Sequence, residues 1–248
     1  MKATTYASGV GTTFALEIEG LQAWYDESHV LHGVNLTVGR GEVVALLGRN
    51  GAGRTTTLRS IIGLTGQRRG SIRVGGEETI HLSTHKVAHH GIGYCPEERG
   101  IFASLSCEEN LLLPPRVGGT RRDAGMSLDE IYAMFPNLKE RRNSQGTRLS
   151  GGEQQMLAVA RILRTGADLL LLDEISEGLA PVIVQTLARM ILELKARGYT
   201  IVMVEQNFRF AAPLADRFYV MEYGKIVEEF GASELDDKMP TLRELLNV

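Results

Sequence analysis

The sequence predicts an α/β fold in which a mainly parallel sheet forms the core and an antiparallel β subdomain lies beside it. Residues 43–47 are a continuous apolar run that leads through a glycine-rich turn into a helical segment. Similar runs occupy 169–172 and 200–204, as is typical of central parallel strands buried on both faces. Apolar residues alternate instead over 14–25 and 34–38, which indicates strands with one buried face.

The turn after the first apolar run, residues 48–56, has the composition of a phosphate-binding loop. Glycines let backbone N–H groups point at an anion, and the positive end of the following helix adds to the attraction. The motif G-x-x-x-x-G-K-[ST] fits residues 48–55 except at Arg54, which stands where the motif has lysine. Either Arg54 still neutralises phosphate with altered geometry, or the loop has lost its nucleotide. The intact glycine spacing favours the first alternative, and the residues expected to bind a nucleoside triphosphate are Asn50, Gly51, Ala52, Gly53, Arg54, Thr55 and Thr56.

Two carboxylates, Asp173 and Glu174, end the apolar run at 169–172. In phosphate-loop ATPases a carboxylate at the end of this strand supports Mg²⁺, and the hydroxyl of the loop supplies another ligand. Asp173 and Thr55 are the residues expected in those places. Glu174 is then placed to orient the attacking water and accept its proton. A buried ion pair elsewhere could explain one acid, but two at a strand end favour the catalytic interpretation.

A second anion site is predicted at Ser150, Gly151, Gly152 and Glu153, which open a helical segment that runs to Leu163. Free N–H groups, a hydroxyl and the helix dipole favour an anion at such a helix start. Small residues also cap ordinary helices, so the motif alone is weak evidence. Its position just before the acidic strand end strengthens the functional interpretation.

Two aromatic or histidine features have competing interpretations. Tyr25 ends the first alternating segment and could stack on a purine base, or it could be a packed strand-end aromatic beside Trp24. Stacking is the favoured interpretation. His85 and His89 lie four residues apart, as metal ligands do, but a stable zinc site needs three or four ligands. A solvated helix face is therefore expected there.

Composition excludes several classes of protein. The 248 residues, 43% of them hydrophobic, are enough for one large ATPase domain. A formal charge of −3 and a pI of about 6.1 argue against a nucleic-acid binder that works by broad phosphate neutralisation. Two cysteines are too few for a disulfide framework, which favours a reducing compartment. No apolar run approaches the ~20 residues that span a bilayer, and residues 1–14 resemble a flexible tail rather than a signal peptide.

Further elements follow from periodicity, capping residues and turn residues. The expected set is a strand at 70–74, a short helix at 84–90, a strand from 91 into a loop at 96–99, helices at 106–113, 128–135 and 179–197, a loop at 118–125, a hairpin of 217–222 with 225–229, and a short helix at 241–246.

The phosphate loop, the segment Leu149–Gln154 and the pair Asp173–Glu174, in this order and spacing, resemble the nucleotide-binding subunit of an ABC transporter. The resemblance covers nearly the whole chain from about residue 15. Within that family the chain is most similar to the shorter ATP-binding subunit of bacterial branched-chain amino-acid importers. The residues that carry this finer resemblance are 95–97, 108–111, 173–181 and 204–207.

The resemblance implies ATP and Mg²⁺ as cofactors, and a P-loop NTPase core carrying a helical signature subdomain at about 97–165 within a single domain of 15–248. It implies a head-to-tail dimer with a second ATP-binding subunit, either a paralogue or the same chain, with ATP between one subunit's phosphate loop and the other's 150–153. It also implies two transmembrane permease subunits, contacted through 96–104, and an extracytoplasmic solute-binding protein, but no nucleic acid. The location implied is the cytoplasmic face of the inner membrane.

The chain departs from the family pattern at four positions. Besides Arg54, Glu97 stands near the expected metal where many relatives have glutamine. Ala180 replaces an aspartate in the loop after Glu174, and Gln206 replaces a switch histidine. Gln206 can still hydrogen-bond a γ-phosphate through its amide, so it is expected to take part in catalysis. The glutamate and glutamine variants resemble the importer subgroup.

Three other functions compete with an importer ATPase. The altered residues could make this chain a slow regulatory nucleotide-binding half of a mixed dimer. The cargo could be urea, amides or an exported lipid, because no residue here touches cargo. A soluble ABC protein of translation or DNA repair is disfavoured, because such proteins usually carry two cassettes or a long coiled insertion.

Overall fold

A computed structural model of the chain describes residues 14–115 and 125–246. The tail expected over 1–14 and the loop expected over 118–125 lie almost entirely outside the described residues. The described strands are β1 (Leu16–Tyr25), β2 (Ser28–Val38), β3 (Val43–Gly48), β4 (Gln67–Val74), β5 (Glu77–Glu78), β6 (Ile92–Cys95), β7 (Leu169–Asp173), β8 (Thr200–Glu205), β9 (Arg217–Glu222) and β10 (Lys225–Gly231).

The strands form the two sheets that the sequence predicts. Six strands, in the order β10, β9, β3, β8, β7, β6, form a sheet in which β10 alone is antiparallel to its neighbour. Its strands β3, β7 and β8 are buried along their whole length, as continuous apolar runs require. The other sheet is antiparallel, in the order β2, β1, β4, β5, and β1 alternates between buried and partly exposed residues. The predicted α/β class is confirmed.

The α-helices of the described residues connect these strands and cover the larger sheet. Three of them begin with a capping box. The serine hydroxyl accepts a hydrogen bond from the backbone N–H of the glutamate three residues later, and the carboxylate of that glutamate accepts one from the serine N–H. The serines are Ser106, Ser127 and Ser150. The helices are α1 (Arg54–Ile61), α2 (Thr84–Ala88), α3 (Cys107–Leu112), α4 (Leu128–Met134), α5 (Pro136–Glu140), α6 (Gly151–Arg164), α7 (Pro181–Ala196), α8 (Phe208–Ala211) and α9 (Leu235–Leu246).

Several elements differ from the sequence prediction, which began β2 at 34 and β4 at 70 and had no counterpart of β5. Helix α9 starts at Leu235 and passes through Pro240, whereas the prediction began it at 241 because proline usually marks a helix boundary. The longer helix forms because its apolar stripe packs on the main core, which offsets the hydrogen bond lost at the proline. The short helix α8 was not predicted, although the Asn207 side chain caps it by accepting from the Phe210 N–H at 3.2 Å.

The six-stranded sheet separates two hydrophobic clusters. Along β3, Val43, Ala45 and Leu47 belong to the cluster that includes α6 and α7. Val44 and Leu46 belong to the opposite cluster, with residues of β1, β2 and α1. The sheet is thus covered on both faces, which fixes its strand ends relative to the loops that follow them. Within 14–115 and 125–246, no helix combines the length and the hydropathy of a bilayer-spanning segment.

Candidate active site

The candidate site lies where β3, β8 and β7, adjacent in the larger sheet, reach their carboxyl ends. Asp173 pairs with Val204, and Leu47 pairs with Glu205, so these strand ends stand side by side. The phosphate loop follows β3 and opens α1 at Arg54. Ligands of open α/β sheets bind in the crevice at this edge.

Two glycines of the phosphate loop are required by close packing. A Cβ on Gly48 would lie 2.5 Å from the Met221 carbonyl oxygen, and one on Gly53 would lie 2.8 Å from Cδ2 of Leu31. Gly53 also has φ of 105°, a conformation that glycine adopts without strain. The loop that results borders a cavity of about 310 Å³. Its lining residues are Val30, 50–56, Glu97, Glu174 and Glu177.

Arg54 lies inside this site rather than in solvent. Its side chain is 4% exposed, and Nη2 donates to Oε1 of Glu174 at 2.7 Å and to Oδ1 of Asn50 at 3.2 Å. Nη1 is also buried and has no acceptor among the described residues. Leaving such a donor unpaired costs about 1–3 kcal/mol, and more for a charged group. An anion bound at the loop would satisfy it, so the arginine suits a phosphate site.

Asp173 is completely buried and held by two hydroxyl groups. Thr55 Oγ1 donates to Oδ1 at 3.0 Å, and the Tyr94 hydroxyl donates to Oδ2 at 3.0 Å. Burial raises the pKa of Asp173, while these two hydrogen bonds oppose the rise. Tyr94 was not singled out from the sequence. Its only signal was its place on β6, the strand beside β7.

The expected metal ligands offer the oxygen donors that Mg²⁺ prefers, a hydroxyl and carboxylates. Glu97 lines the same cavity as Thr55, and burial together with Glu177 and Asp173 raises its pKa. Negative groups therefore crowd this side of the cavity, which favours a cation. No cluster of three or more histidine, cysteine or acidic side chains suited to a metal occurs within 14–115 and 125–246. A metal here would need ligands from a bound nucleotide as well.

Glu174 adopts an unusual backbone conformation at the end of β7. Its φ is 47°, in the left-handed region, and its N–H donates to the Val204 carbonyl at 2.9 Å. Such a conformation costs a non-glycine residue about 1–2 kcal/mol and is often found at functional sites. Burial, reinforced by Glu177, raises the pKa of Glu174 to about 7, while Arg54 pulls it down. A carboxyl poised near neutrality suits a general base.

Glu205, which the sequence did not single out, ties β8 to the loop after Glu174. It is 1% exposed and accepts from the Ser176 N–H at 3.2 Å and from the Ser176 hydroxyl at 2.8 Å. Burial raises its pKa to about 8. Both Glu205 and the exposed Gln206 border a second cavity, of about 600 Å³, that Glu174 also lines. Gln206 thus lies in the same cavity as the candidate base.

The predicted second anion site is not brought to the phosphate loop within this chain. Ser150 and Glu153 form a capping box, with Ser150 N–H to Glu153 Oε2 at 2.7 Å, and no residue of 150–153 lines either cavity. A Cβ on Gly152 would lie 2.8 Å from Ile183 on α7, whereas one on Gly151 would meet the Arg99 guanidinium at 3.3 Å. Gly152 therefore has a packing role inside the chain, while Gly151 faces a flexible side chain.

The two ambiguous features occupy the surface. Tyr25 is 38% exposed, while the neighbouring Trp24 stacks on His29 with ring centroids 4.2 Å apart. Trp24, rather than Tyr25, is thus the packed aromatic, and base stacking by Tyr25 stays a prediction. His85 on α2 and His89, which follows the last residue of that helix, are both exposed.

Comparisons with known proteins identify the family. Residues 31–177 match the family described as ABC transporter. The chain is 40% identical, over 92% of its length and 97% of the relative's, to the high-affinity branched-chain amino acid transport ATP-binding protein BraG of Pseudomonas aeruginosa. The chain belongs to the ABC transporter family. This ABC protein is also 36% identical to the lipopolysaccharide export system ATP-binding protein LptB of Haemophilus influenzae, over 86% of this chain and 88% of that one.

The fold of this ABC protein agrees with solved cassettes. A nucleotide-free ATP-binding cassette from an ABC transporter superposes with a TM-score of 0.79 at 22% identity, covering 92% of this chain and 95% of that one. At that identity the likeness concerns the fold. Family membership makes the chain an ATP-binding ATPase of ABC transport, as the sequence motifs predict.

Proposed function

We propose that this ABC ATPase powers a membrane importer for branched-chain or other hydrophobic amino acids. The observation that carries the proposal is the 40% identity to the P. aeruginosa branched-chain amino acid transport protein, across 92% of this chain. The relative named for lipopolysaccharide export is 36% identical, which keeps an exported lipid as the second candidate cargo.

In this proposal the triphosphate lies in the cavity bordered by 50–56, and the free Nη1 of Arg54 supplies a donor to it. Thr55 and Asp173, with Glu97 nearby, would hold Mg²⁺, which would neutralise phosphate charge. Tyr94 keeps Asp173 in place through its hydroxyl. Tyr25 would stack on the base.

Hydrolysis would rest on Glu174 and Gln206, which border one cavity. Glu174 would orient the attacking water and take its proton, a role that its raised pKa suits. Gln206 would donate a hydrogen bond to the γ-phosphate through its amide, without a titratable charge.

The nucleotide would be enclosed by the α6 start of a second ATP-binding subunit, a copy of this chain or a paralogue. This pairing gives Ser150, Gly151, Gly152 and Glu153 a role that they do not have within one chain, where they lie outside the phosphate-loop cavity. Closure would pull on two permease subunits through 96–104 at the cytoplasmic face of the membrane, and a solute-binding protein would deliver the cargo.

Reconstitution tests the cargo. The chain would be co-purified with its permease subunits and solute-binding protein and placed in proteoliposomes with ATP. Leucine is expected to raise ATP hydrolysis several-fold, whereas urea is not. Stimulation by lipopolysaccharide and not by leucine would assign the chain to lipid export.

The regulatory alternative is favoured by one contact, the ion pair that ties Arg54 to the candidate base Glu174. A mixed dimer that carries Glu174→Gln in this chain alone separates the two functions. Collapse of transport is expected if this chain is a motor. Near-full transport would instead make it a slow nucleotide sensor.

A further inference from the structure

The ion pair between Arg54 and Glu174 joins two residues that the hydrolysis site needs for different tasks. The contact is short, 2.7 Å, and both side chains are nearly inaccessible, at 4% and 10% exposure. While it persists, Oε1 of Glu174 is bonded to the guanidinium and is not available to a water molecule. The same guanidinium leaves Nη1 buried without an acceptor among the described residues, and Arg54 lines the phosphate-loop cavity.

This pair is bonded less completely than another ion pair of the chain, that of Arg217 with Glu42. Arg217 meets Glu42 through two parallel bonds of 2.9 Å, and its remaining Nη1 donates to Glu229 and Thr37. All nitrogens of that guanidinium therefore have partners. Arg54 makes one bond to Glu174 and a longer one to Asn50, and leaves a buried nitrogen unpaired. Among the described residues Arg161 also leaves one buried nitrogen, Nε, unpaired, but Arg54 differs from it in lining the phosphate-loop cavity, where an anion could reach its side chain.

We propose that Arg54 alternates between two anions, the Glu174 carboxylate in the nucleotide-free protein and the terminal phosphate of a bound triphosphate. The proposal rests on the function proposed above, because it requires ATP at the phosphate loop. A phosphate carries more charge than a carboxylate and offers three acceptor oxygens, so it competes successfully for a planar two-armed donor. Loss of the pair frees Glu174 to contact water.

Arg54 thereby becomes a positioning residue for the base and a determinant of specificity for triphosphate. A diphosphate lacks the group that draws the guanidinium away, so the pair stays formed and Oε1 of Glu174 stays bonded to Arg54. A lysine could not hold a carboxylate and aim a second donor in the same rigid plane, because an ammonium is a compact point charge.

The test is a thermodynamic cycle on nucleotide affinity. Dissociation constants for a non-hydrolysable ATP analogue and for ADP, each with Mg²⁺, are measured by calorimetry for the wild type, Glu174→Gln, Arg54→Gln and the double variant. With Arg54 present, Glu174→Gln is expected to tighten analogue binding at least five-fold, because the competing pair is gone. In the Arg54→Gln background, Glu174→Gln is expected to tighten analogue binding by less than two-fold. With Arg54 present, Glu174→Gln is likewise expected to tighten ADP binding by less than two-fold.

Equal gains in both arginine backgrounds, or an equal gain for ADP, would overturn the proposal and show that Glu174 acts on phosphate by simple repulsion. The proposed function would survive that result, since ATP still binds. Failure of the wild type to bind either nucleotide would instead remove the proposed function. Glu42→Gln, which breaks the Arg217 pair, is the matched control and should leave affinity unchanged.

A second measurement covers the case in which Arg54→Gln binds too weakly to titrate. Melting temperatures without nucleotide are expected to fall for Glu174→Gln in the chain with Arg54, and not to fall in the Arg54→Gln background. At saturating ATP analogue the loss in the chain with Arg54 should disappear. A loss that persists with analogue bound would contradict the exchange.

Discussion

Among single residues, Tyr94 shows how a side chain outside the recognised motifs shapes the site. Its hydroxyl donates a hydrogen bond to Oδ2 of Asp173. The other carboxylate oxygen, Oδ1, accepts from the hydroxyl of Thr55 in the phosphate loop. Groups that hydrogen-bond a metal ligand fix its orientation, and losing them commonly costs 10–100-fold in metal affinity, as an order of magnitude.

Tyr94→Phe is therefore expected to raise the Mg²⁺ concentration needed for half-maximal ATP hydrolysis by about ten-fold. The matched control is Tyr132→Phe, which also removes a hydroxyl bonded to a carboxylate, that of Glu108 at 2.7 Å, away from the site. The control should lower the melting temperature without changing the Mg²⁺ requirement. Equal Mg²⁺ curves for Tyr94→Phe and wild type would contradict the role given to Tyr94.

Glu205 makes stability depend on pH. Its pKa rises from a usual value of 4.5 to about 8 on folding, so between these pH values the folded chain holds a proton that the unfolded chain has lost. The free energy of unfolding consequently falls as pH rises from about 4.5 to 8. At pH 7 this loss amounts to about 3 kcal/mol.

Glu205→Gln is expected to flatten this dependence and to raise the melting temperature at pH 7.5, since an amide oxygen still accepts from Ser176. Melting curves between pH 5 and 8 for both proteins measure it. Glu140→Gln, at an exposed carboxyl of α5, should leave the wild-type slope unchanged. If the melting temperature of Glu205→Gln falls with pH as steeply as that of the wild type, other groups cause the pH dependence.

At the scale of elements, the start of α6 combines a folding role with a predicted binding role. A Cβ on Gly152 would clash with the side chain of Ile183, which its branched Cβ makes stiff, whereas one on Gly151 would meet only the flexible Arg99 side chain. Gly152→Ala should cost about 1–2 kcal/mol after the gain in helix propensity. At about 2–4 °C per kcal/mol, its melting temperature should fall by about 2–8 °C.

Gly151→Ala is the matched partner for this test. It should leave the melting temperature of the isolated chain within about 1 °C, because the Arg99 guanidinium that its Cβ would meet can move. It is expected to lower ATP hydrolysis, because the displaced Arg99 and the added methyl group lie at the helix start that we propose contacts the partner's nucleotide. Calorimetric melting and ATPase rates of both variants measure the difference. Equal melting losses for the two variants would contradict the packing argument.

Sequence patterns predicted elements well where the pattern and the packing agree. The runs that became β3, β7 and β8 are apolar at every position that a doubly covered strand buries. The patterns gave the wrong start for α9, because Pro240 predicts a helix boundary whereas the helix continues through it. Contacts of its apolar residues with a core distant in sequence stabilise the longer helix. The bond from Arg49 in the phosphate loop to the α9 carbonyl of Leu245, at 2.9 Å, likewise joins segments far apart in sequence and has no local signal.

For the whole molecule, the motifs predicted the family and the α/β class because they combine backbone geometry with chemistry at fixed spacing. They did not predict that Arg54 and Glu174 pair, because 119 intervening residues separate them and the contact depends on how β3 and β7 end. The roles of Glu205 and Tyr94 were not predicted, for the same reason. Both act through neighbours that only the assembled sheet provides.

The central claim is that ATP joins the phosphate loop of one subunit to the α6 start of another. Sedimentation velocity of Glu174→Gln, a variant expected to bind ATP without hydrolysing it, tests it most directly. With ATP the chain of 27.2 kDa is expected to sediment as a dimer, and with ADP, or with Ser150→Arg added, as a monomer. The account would be contradicted if, in saturating ATP, the chain alone stayed a monomer and also failed to pair with a second ATP-binding subunit when the co-purified transporter subunits were present.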